Sequence, residues 1–226
     1  KTRFLRQISH ELKTPLTALR EGAELLSEGA AGTLAPSQQE IVDILRHNTL
    51  RLQGLIEDLL NFNALRSGTA DIARIPVRLD ELVREAAENQ RLALQAKGIR
   101  LDATLPGVTL NADPSRLRTV LDNLLSNAIK FSPRGGSIKI RLMKTSREIL
   151  LDMADEGPGV AEEDRERIFE PFCQGRRQPS TPVKGSGLGL AIAREMAQAH
   201  GGTLALVSHA SGACFRLTLP LAEETA

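Results

Sequence analysis

The chain of 226 residues has no tryptophan, no tyrosine and only six phenylalanines. It is therefore poor in the flat side chains on which single-stranded nucleic acids stack. Charge points the same way. Against 29 lysines and arginines stand 28 aspartates and glutamates, leaving a net charge of +1. With no basic excess to compete for a phosphate backbone, no nucleic-acid partner is expected. Cysteine is scarce too. Cys173 and Cys214 lie far apart, support neither a disulfide framework nor a zinc site, and are expected to be reduced in a cytoplasmic setting. No run approaches the roughly 18 consecutive apolar residues of a membrane span, and no signal peptide opens the chain. The first residues, KTRFLRQISHELKTPL, already lie inside a helical pattern. We therefore expect a cytoplasmic fragment of a longer protein, with any cell-membrane anchor in absent upstream segments.

What is present divides into two textures. In residues 1–28, apolar or small residues fall at Leu5, Ile8, Leu12, Pro15, Leu19, Gly22 and Leu26. After the turn-like AAGTLAPS the pattern returns at Ile41, Leu45, Asn48, Leu52, Leu55, Leu59 and Phe62. Alternate spacings of three and four make the seam of a coiled coil or helix bundle. Ser37 and Glu40 have the spacing of a capping box for the second helix. Leu16, Val42, Ile44, Ile56 and Leu60 widen the apolar stripe beyond what two helices can cover. A homodimer forming a four-helix bundle would hide it. Asn48, a polar residue on the seam, either sets register or reaches a bundle edge.

The segment RSGTADIARIPV breaks the heptads, so the expected boundaries are a helical domain over 1–67, a linker over 68–76 and a second domain over 77–226. The second domain mixes helix and strand. A helix is expected over 80–97, strands over 99–105 and 108–111, and a helix from Asp113-Pro114 to about 131. Strands SIKIRLMK and EILLDMAD follow, then a helix over 188–200 and strands over 203–208 and 213–219. Asp before Pro is a strong helix start. Helices alternating with adjacent strands predict a two-layer α/β sandwich.

Glycine marks the chemistry. Asp155-Glu-Gly157-Pro-Gly159 follows directly on a strand, and Gly185-Ser-Gly187-Leu-Gly189 opens a helix. Glycines before a helix N-terminus let backbone N–H groups surround a phosphate, which the helix dipole favours. Neither a Walker loop nor a dinucleotide fingerprint fits the spacing. On the helix between them, Asn123, Asn127 and Lys130 share one face at spacings of four and three. Amide oxygens are hard neutral ligands of the kind Mg²⁺ accepts, and lysine supplies a cation for phosphate.

Five segments in order now identify a resemblance covering nearly the whole chain. His10-Glu-Leu-Lys-Thr-Pro-Leu resembles the phospho-acceptor H box of bacterial sensor histidine kinases. DNLLSNAIKFS is similar to their N box, DEGPGV to the first glycine box, IFEPF to the F box, and GSGLGLAIAREMAQAHGG to the second glycine box. The resemblance implies a dimeric phosphotransfer hairpin followed by a Bergerat (GHKL) ATP-binding domain. It implies His10 as acceptor, Glu11 as orienting base, Asp155 on the adenine amino group, Asn127 holding Mg²⁺ with help from Asn123, and Lys130 on phosphate. Phe131, Gly157 and Gly159 would flank the adenine side, with Lys184, Gly185, Gly187, Leu188 and Gly189 on the lid and phosphates. The implied cofactors are ATP and Mg²⁺, and the implied partners a second copy and a response-regulator receiver domain.

General chemistry agrees with these roles. A histidine with pKa about 6.5 is largely neutral near pH 7 and keeps the lone pair that attack on phosphorus requires. An adjacent carboxylate can fix its tautomer and accept the departing proton. Pro15, four residues after Glu11, removes one helix hydrogen bond and would let the helix bend beside His10. In the family, an acidic residue after the histidine and a threonine three beyond accompany phosphatase action; Glu11 and Thr14 fit. QGRRQPSTPVK reads as a polar lid in which Arg176, Arg177 and Lys184 would reach a triphosphate, although Gln174 stands where the family commonly has arginine. The alternatives are a GHKL-type ATPase without histidine phosphotransfer, which would lack the His-Glu-x-x-Thr-Pro hairpin, and a non-enzymatic dimeric scaffold.

Overall fold

The computed structural model describes residues 2–30, 32–66, 72–176 and 185–221, without the side chains of 2–13, 58, 61 and 63–66. The chain divides into two compact units, Lys1–Thr69 and Ala70–Ala226. No helix among the described residues is long and apolar enough to cross a membrane.

The first unit is a helical hairpin of α1, Thr2–Ser27, and α2, Pro36–Arg66. α1 continues through Pro15 and ends where Gly29, at φ 80°, turns left-handed. The Ala30 N–H then reaches the Leu25 carbonyl (3.0 Å) and the Gly29 N–H reaches that of Leu26 (3.1 Å), satisfying the helix end. α2 starts one residue before the expected capping box. Pro36 takes the first helical position, where its missing N–H costs nothing. Ala35 therefore becomes the cap, its N–H donating to Gln38 Oε1 at 2.8 Å, and Ser37 lies inside the helix.

Burial in the hairpin is offset from most of the expected seam. Phe62 is buried as expected, but Leu16, Ala23, Val42 and Thr49 are buried too, whereas Leu19 is 62% and Ile41 58% exposed, with Leu45 and Leu52 about half exposed. Two of the residues expected merely to widen the stripe thus form the inner face. The physical reason is geometric: an antiparallel pair buries only the positions facing each other, one residue round from the seam. Asn48 is exposed and donates to the Ile44 carbonyl at 2.9 Å, one turn back on its own helix.

The second unit begins with β1, Ile75–Arg78, which pairs antiparallel with β3, Thr109–Ala112. β1 starts inside the stretch expected as linker. The single helix expected over 80–97 is two, α3 (Leu79–Asn89) and α4 (Arg91–Lys97), broken at Gln90 and closed by Gly98 at φ 65°. β2 (Arg100–Thr104), β4 (Ser137–Lys144), β5 (Glu148–Asp155), β6 (Thr203–Val207) and β7 (Cys214–Pro220) form a five-stranded sheet in the order β2-β4-β5-β7-β6. Only the β2–β4 pair is parallel.

α5 (Pro114–Phe131) and α6 (Gly189–Ala199) pack together and against strands β5 and β6, respectively, making the second layer. Strand alternation explains the core. Ile138, Ile140 and Leu142 of β4 and Ile149, Leu151 and Met153 of β5 are buried, as are Leu117, Leu121, Leu124 and Leu125 of α5, which packs on β5. On the opposite face Arg216 clasps Asp152 through two hydrogen bonds of 2.6 and 2.7 Å. At the start of α3, buried Asp80 accepts from Arg78 (3.0 and 2.9 Å), Arg84 (2.8 Å) and the Val108 N–H (3.2 Å). The two-layer sandwich expected from element order is the observed one.

A candidate nucleotide site

α5 supplies the platform. Its cap is the one expected: Asp113 Oδ1 accepts from the Ser115 and Arg116 N–H groups at 3.0 and 3.2 Å, with Pro114 next. Leucines every three or four residues pin one face to the sheet, so Asn123, Asn127 and Lys130, all half-buried, emerge on another. The Asn123 side-chain N–H donates to the Thr119 carbonyl at 2.9 Å. The Asn127 amide makes no hydrogen bond among the described residues. The Lys130 ammonium lies 5.3 Å above the Phe131 ring.

Both glycine loops close on this helix. A methyl group added at Gly189 would lie 2.6 Å from Asn123 Oδ1, and one at Gly185 would lie 2.9 Å from Lys130 Nζ. A methyl at Gly157 would lie 2.8 Å from both Asp155 Oδ1 and the Phe131 carbonyl oxygen. Real Cβ atoms essentially never come so close; at Gly157 the obstacle includes backbone, whereas at Gly185 and Gly189 it is a side-chain end that would have to move. Gly187, at φ 73°, accepts from the Phe172 N–H at 2.9 Å. Phe172 is itself left-handed at φ 62°, which brings the F box and the second glycine box together.

Asp155 ends β5. Period two puts it on the same face as Ile149, Leu151 and Met153, so a carboxylate occupies a core-facing position and is only 4% exposed. Its Oδ1 accepts from the Gly157 N–H at 2.8 Å and the Ala213 N–H at 3.3 Å. Oδ2 has no donor among the described residues. Burial pushes the carboxyl above its ordinary range, against those two hydrogen bonds and the charge of His209. A buried, fixed acceptor with an open oxygen suits an exocyclic amine.

This arrangement has close relatives. The family model described as histidine kinase-, DNA gyrase B- and HSP90-like ATPase matches residues 112–223, and that of the His kinase A (phospho-acceptor) domain matches residues 1–68. Sensor histidine kinase GlrK of Escherichia coli (strain K12) is 40% identical over 223 residues, covering 98% of this chain and 47% of that protein. Full-length ShkA, solved in complex with AMPPNP, is similar at 31% identity and TM-score 0.82, covering 100% of this chain and 47% of that one. The mycobacterial sensor histidine kinase MprB is 30% identical with TM-score 0.58, over 65% of this chain and 97% of that one. The chain belongs to the two-component sensor histidine kinases. It spans about half the length of GlrK, and what lies in the other half is outside this sequence.

In this kinase core, His10 and Glu11 sit on α1, but their side chains lie outside the described residues, as do Arg177 and Lys184. Thr14 is exposed one turn beyond His10. The Leu188 side chain is fully buried, and its backbone N–H donates to Ser186 Oγ at 3.2 Å within the second glycine box. Several contributors escape the motif reading. Gly212, at φ 70°, leaves no room for a Cβ beside the Asp155 carbonyl and the Gly157 nitrogen. Glu156 accepts from the Ser137 N–H (2.9 Å) and hydroxyl (2.7 Å), tying the first glycine box to β4. Gln174 donates to the Gly185 carbonyl at 2.8 Å, joining the two sides of the loop. In the sequence Gln174 stood out only as a departure from the family pattern and Glu156 only as a member of DEGPGV, while Gly212 went unmarked.

Proposed function

We propose that the chain is an ATP-dependent autokinase that phosphorylates His10, passes the phosphoryl group to an aspartate of a response-regulator receiver domain, and also hydrolyses the product. The observation that carries this reading is the convergence of both glycine boxes on α5, through Gly157 at Phe131, Gly185 at Lys130 and Gly189 at Asn123. Asp155 Oδ2 would accept from the adenine amino group. Lys130 would meet the phosphates. Asn127, with Asn123 beside it, fits Mg²⁺ because an unbonded amide oxygen is a hard neutral donor. Bound there, the ion would neutralise phosphate charge.

The residues' own steps follow. A neutral His10 imidazole nitrogen attacks the γ-phosphorus, the bond to the bridging oxygen breaks, and ADP leaves. Glu11 holds the ring tautomer and takes the ring proton. A receiver aspartate then attacks the phosphohistidine and regenerates the imidazole. Thr14 would orient water for hydrolysis of the resulting acyl phosphate. The exposed seam of Leu19, Ile41, Leu45 and Leu52 supports a second copy completing a four-helix bundle.

Incubation with ATP labelled at the γ-phosphate tests the reading. Acid-labile label on the wild-type chain, absent from His10→Gln and from Asn127→Ala, is the expected result. Free phosphate without protein label would instead point to an ATPase that does not phosphorylate histidine. Decay of a phosphorylated receiver that is as fast with Thr14→Ala as with wild type would remove the phosphatase role.

A further inference from the structure

The C-terminal turn of α5 is held from outside by a lysine no motif includes. Lys97, the last residue of α4, brings its ammonium to the carbonyls of Ile129 (2.7 Å), Lys130 (2.9 Å) and Ser132 (3.2 Å). An ammonium has three protons, and all three are used. The backbone closes the same junction in return, the Gly135 N–H donating to the Lys97 carbonyl at 2.9 Å. Within the turn the Ser132 N–H closes on the Ala128 carbonyl at 2.9 Å, one residue before the carbonyls Lys97 takes up. Ser132, the capping residue, is fully buried and its hydroxyl has no partner among the described residues.

Two consequences bear on the site. The first is geometric. The turn pinned by Lys97 is the one whose Phe131 carbonyl abuts Gly157, and whose Lys130 side chain reaches Gly185. It therefore borders both glycine boxes. The second is electrostatic. The carbonyls at a helix C-terminus carry its partial negative charge, which repels an incoming polyanion. An ammonium bonded to three of them offsets that charge beside the residue expected to meet phosphate.

We propose that Lys97 is a positioning residue for the nucleotide, fixing and neutralising the end of α5 so that Lys130 and the Phe131–Gly157 contact can receive a nucleoside triphosphate. The inference rests on the nucleotide-site reading above. Burial lowers the affinity of Lys97 for its proton, with Arg134 adding to the effect, yet three carbonyl acceptors leave it no useful state but the charged one.

Titration calorimetry of Mg·ATP into the full 226-residue chain tests it, alongside the ATP dependence of autophosphorylation. Lys97→Met should weaken ATP binding and raise KM about tenfold, while turnover at saturating ATP falls far less; tenfold corresponds to about 1.4 kcal/mol. Lys97→Arg should lie between, because a planar guanidinium keeps the charge but cannot point protons at three converging carbonyls. Lys144→Met, at the far end of β4, should leave both quantities unchanged. If folded Lys97→Met binds ATP as wild type does, the proposal is wrong and the lysine is only structural. Should Lys97→Met fail to fold, Lys97→Arg decides: weakening of about twofold to fivefold supports the role and wild-type affinity overturns it. A wild-type chain that binds no ATP would instead sink the nucleotide reading itself.

Discussion

The helical hairpin and the α/β sandwich are stabilised in different ways. The hairpin leaves Leu19, Ile41, Ile44, Leu45, Leu50 and Leu52 substantially exposed and buries few large side chains. The sandwich closes its core, with Leu117, Leu121, Ile138, Ile140, Leu151 and Leu217 almost wholly withdrawn from water. Apolar burial supplies most folding free energy, at roughly 25 cal/mol per Å². The sandwich therefore closes its core within one copy, whereas the described hairpin leaves an apolar face open, which is what the proposed pairing with a second copy would cover. If that proposal holds, folding and assembly are linked in the first unit and separate in the second.

The largest expected effect breaks that contrast at the seam. Replacing Leu45 and Leu52 together by glutamate should weaken self-association by about 10³-fold or more, since each carboxylate forced into an apolar interface costs several kcal/mol. Sedimentation equilibrium reads the mass, and an unchanged oligomer would show that this face is not where copies meet. Next in size, Asp80→Ala should cost the sandwich about 3 kcal/mol, because Arg78, Arg84 and the Val108 N–H all lose their acceptor. Urea unfolding of the sandwich checks it. Hydrogen bonding by Arg78 first, then Arg84, holds this carboxyl well below the usual range. Its contribution is therefore present at neutral pH and lost only as pH falls below about 4.

Asp155 sharpens the comparison from within the sandwich. Its folded pKa is raised by burial, so its ionised form opposes folding above that pKa, and the penalty disappears below the unfolded value. Asp155→Asn should therefore raise the melting temperature without nucleotide by about 3 °C. ATP affinity should meanwhile drop about 100-fold, the size expected when a buried acceptor for a ligand amine is lost. Calorimetry and a thermal melt on the same sample check both signs; a lower melting temperature would contradict the cost assigned to burial. The smallest effect belongs to His200, buried, with its Nε2 accepting from the Asp113 N–H at 3.0 Å and its Nδ1 on the Met196 carbonyl at 2.8 Å. Burial lowers its folded pKa. Stability it provides is present above about pH 6.5 and declines as pH falls toward the folded pKa. His200→Gln should flatten the pH dependence of the melt between pH 7 and 5.

Much of this was legible in the sequence because it is local. Asp113-Pro114 announces α5, alternation announces β4 and β5, and the glycine boxes announce the site. What escaped depends on contacts between distant residues. Lys97 meets carbonyls more than thirty positions away, and β1 becomes a strand only because β3 lies beside it. The hairpin's burial is offset because periodicity marks an apolar stripe without saying which half faces the sister helix. The burial of the Leu188 side chain likewise depends on packing that a loop motif does not announce.

One helix carries both part of the sandwich's core and the residues proposed to meet nucleotide. Around α5, Leu117, Leu121, Leu124, Ala128 and Ile129 are buried, while the half-buried Asn123, Asn127 and Lys130 alternate with them in the sequence. Neighbouring codons should thus yield opposite kinds of defect. A saturation scan through 114–131 would alternate, about every 3.6 positions, between heat-sensitive alleles and alleles that fold normally yet carry no signal.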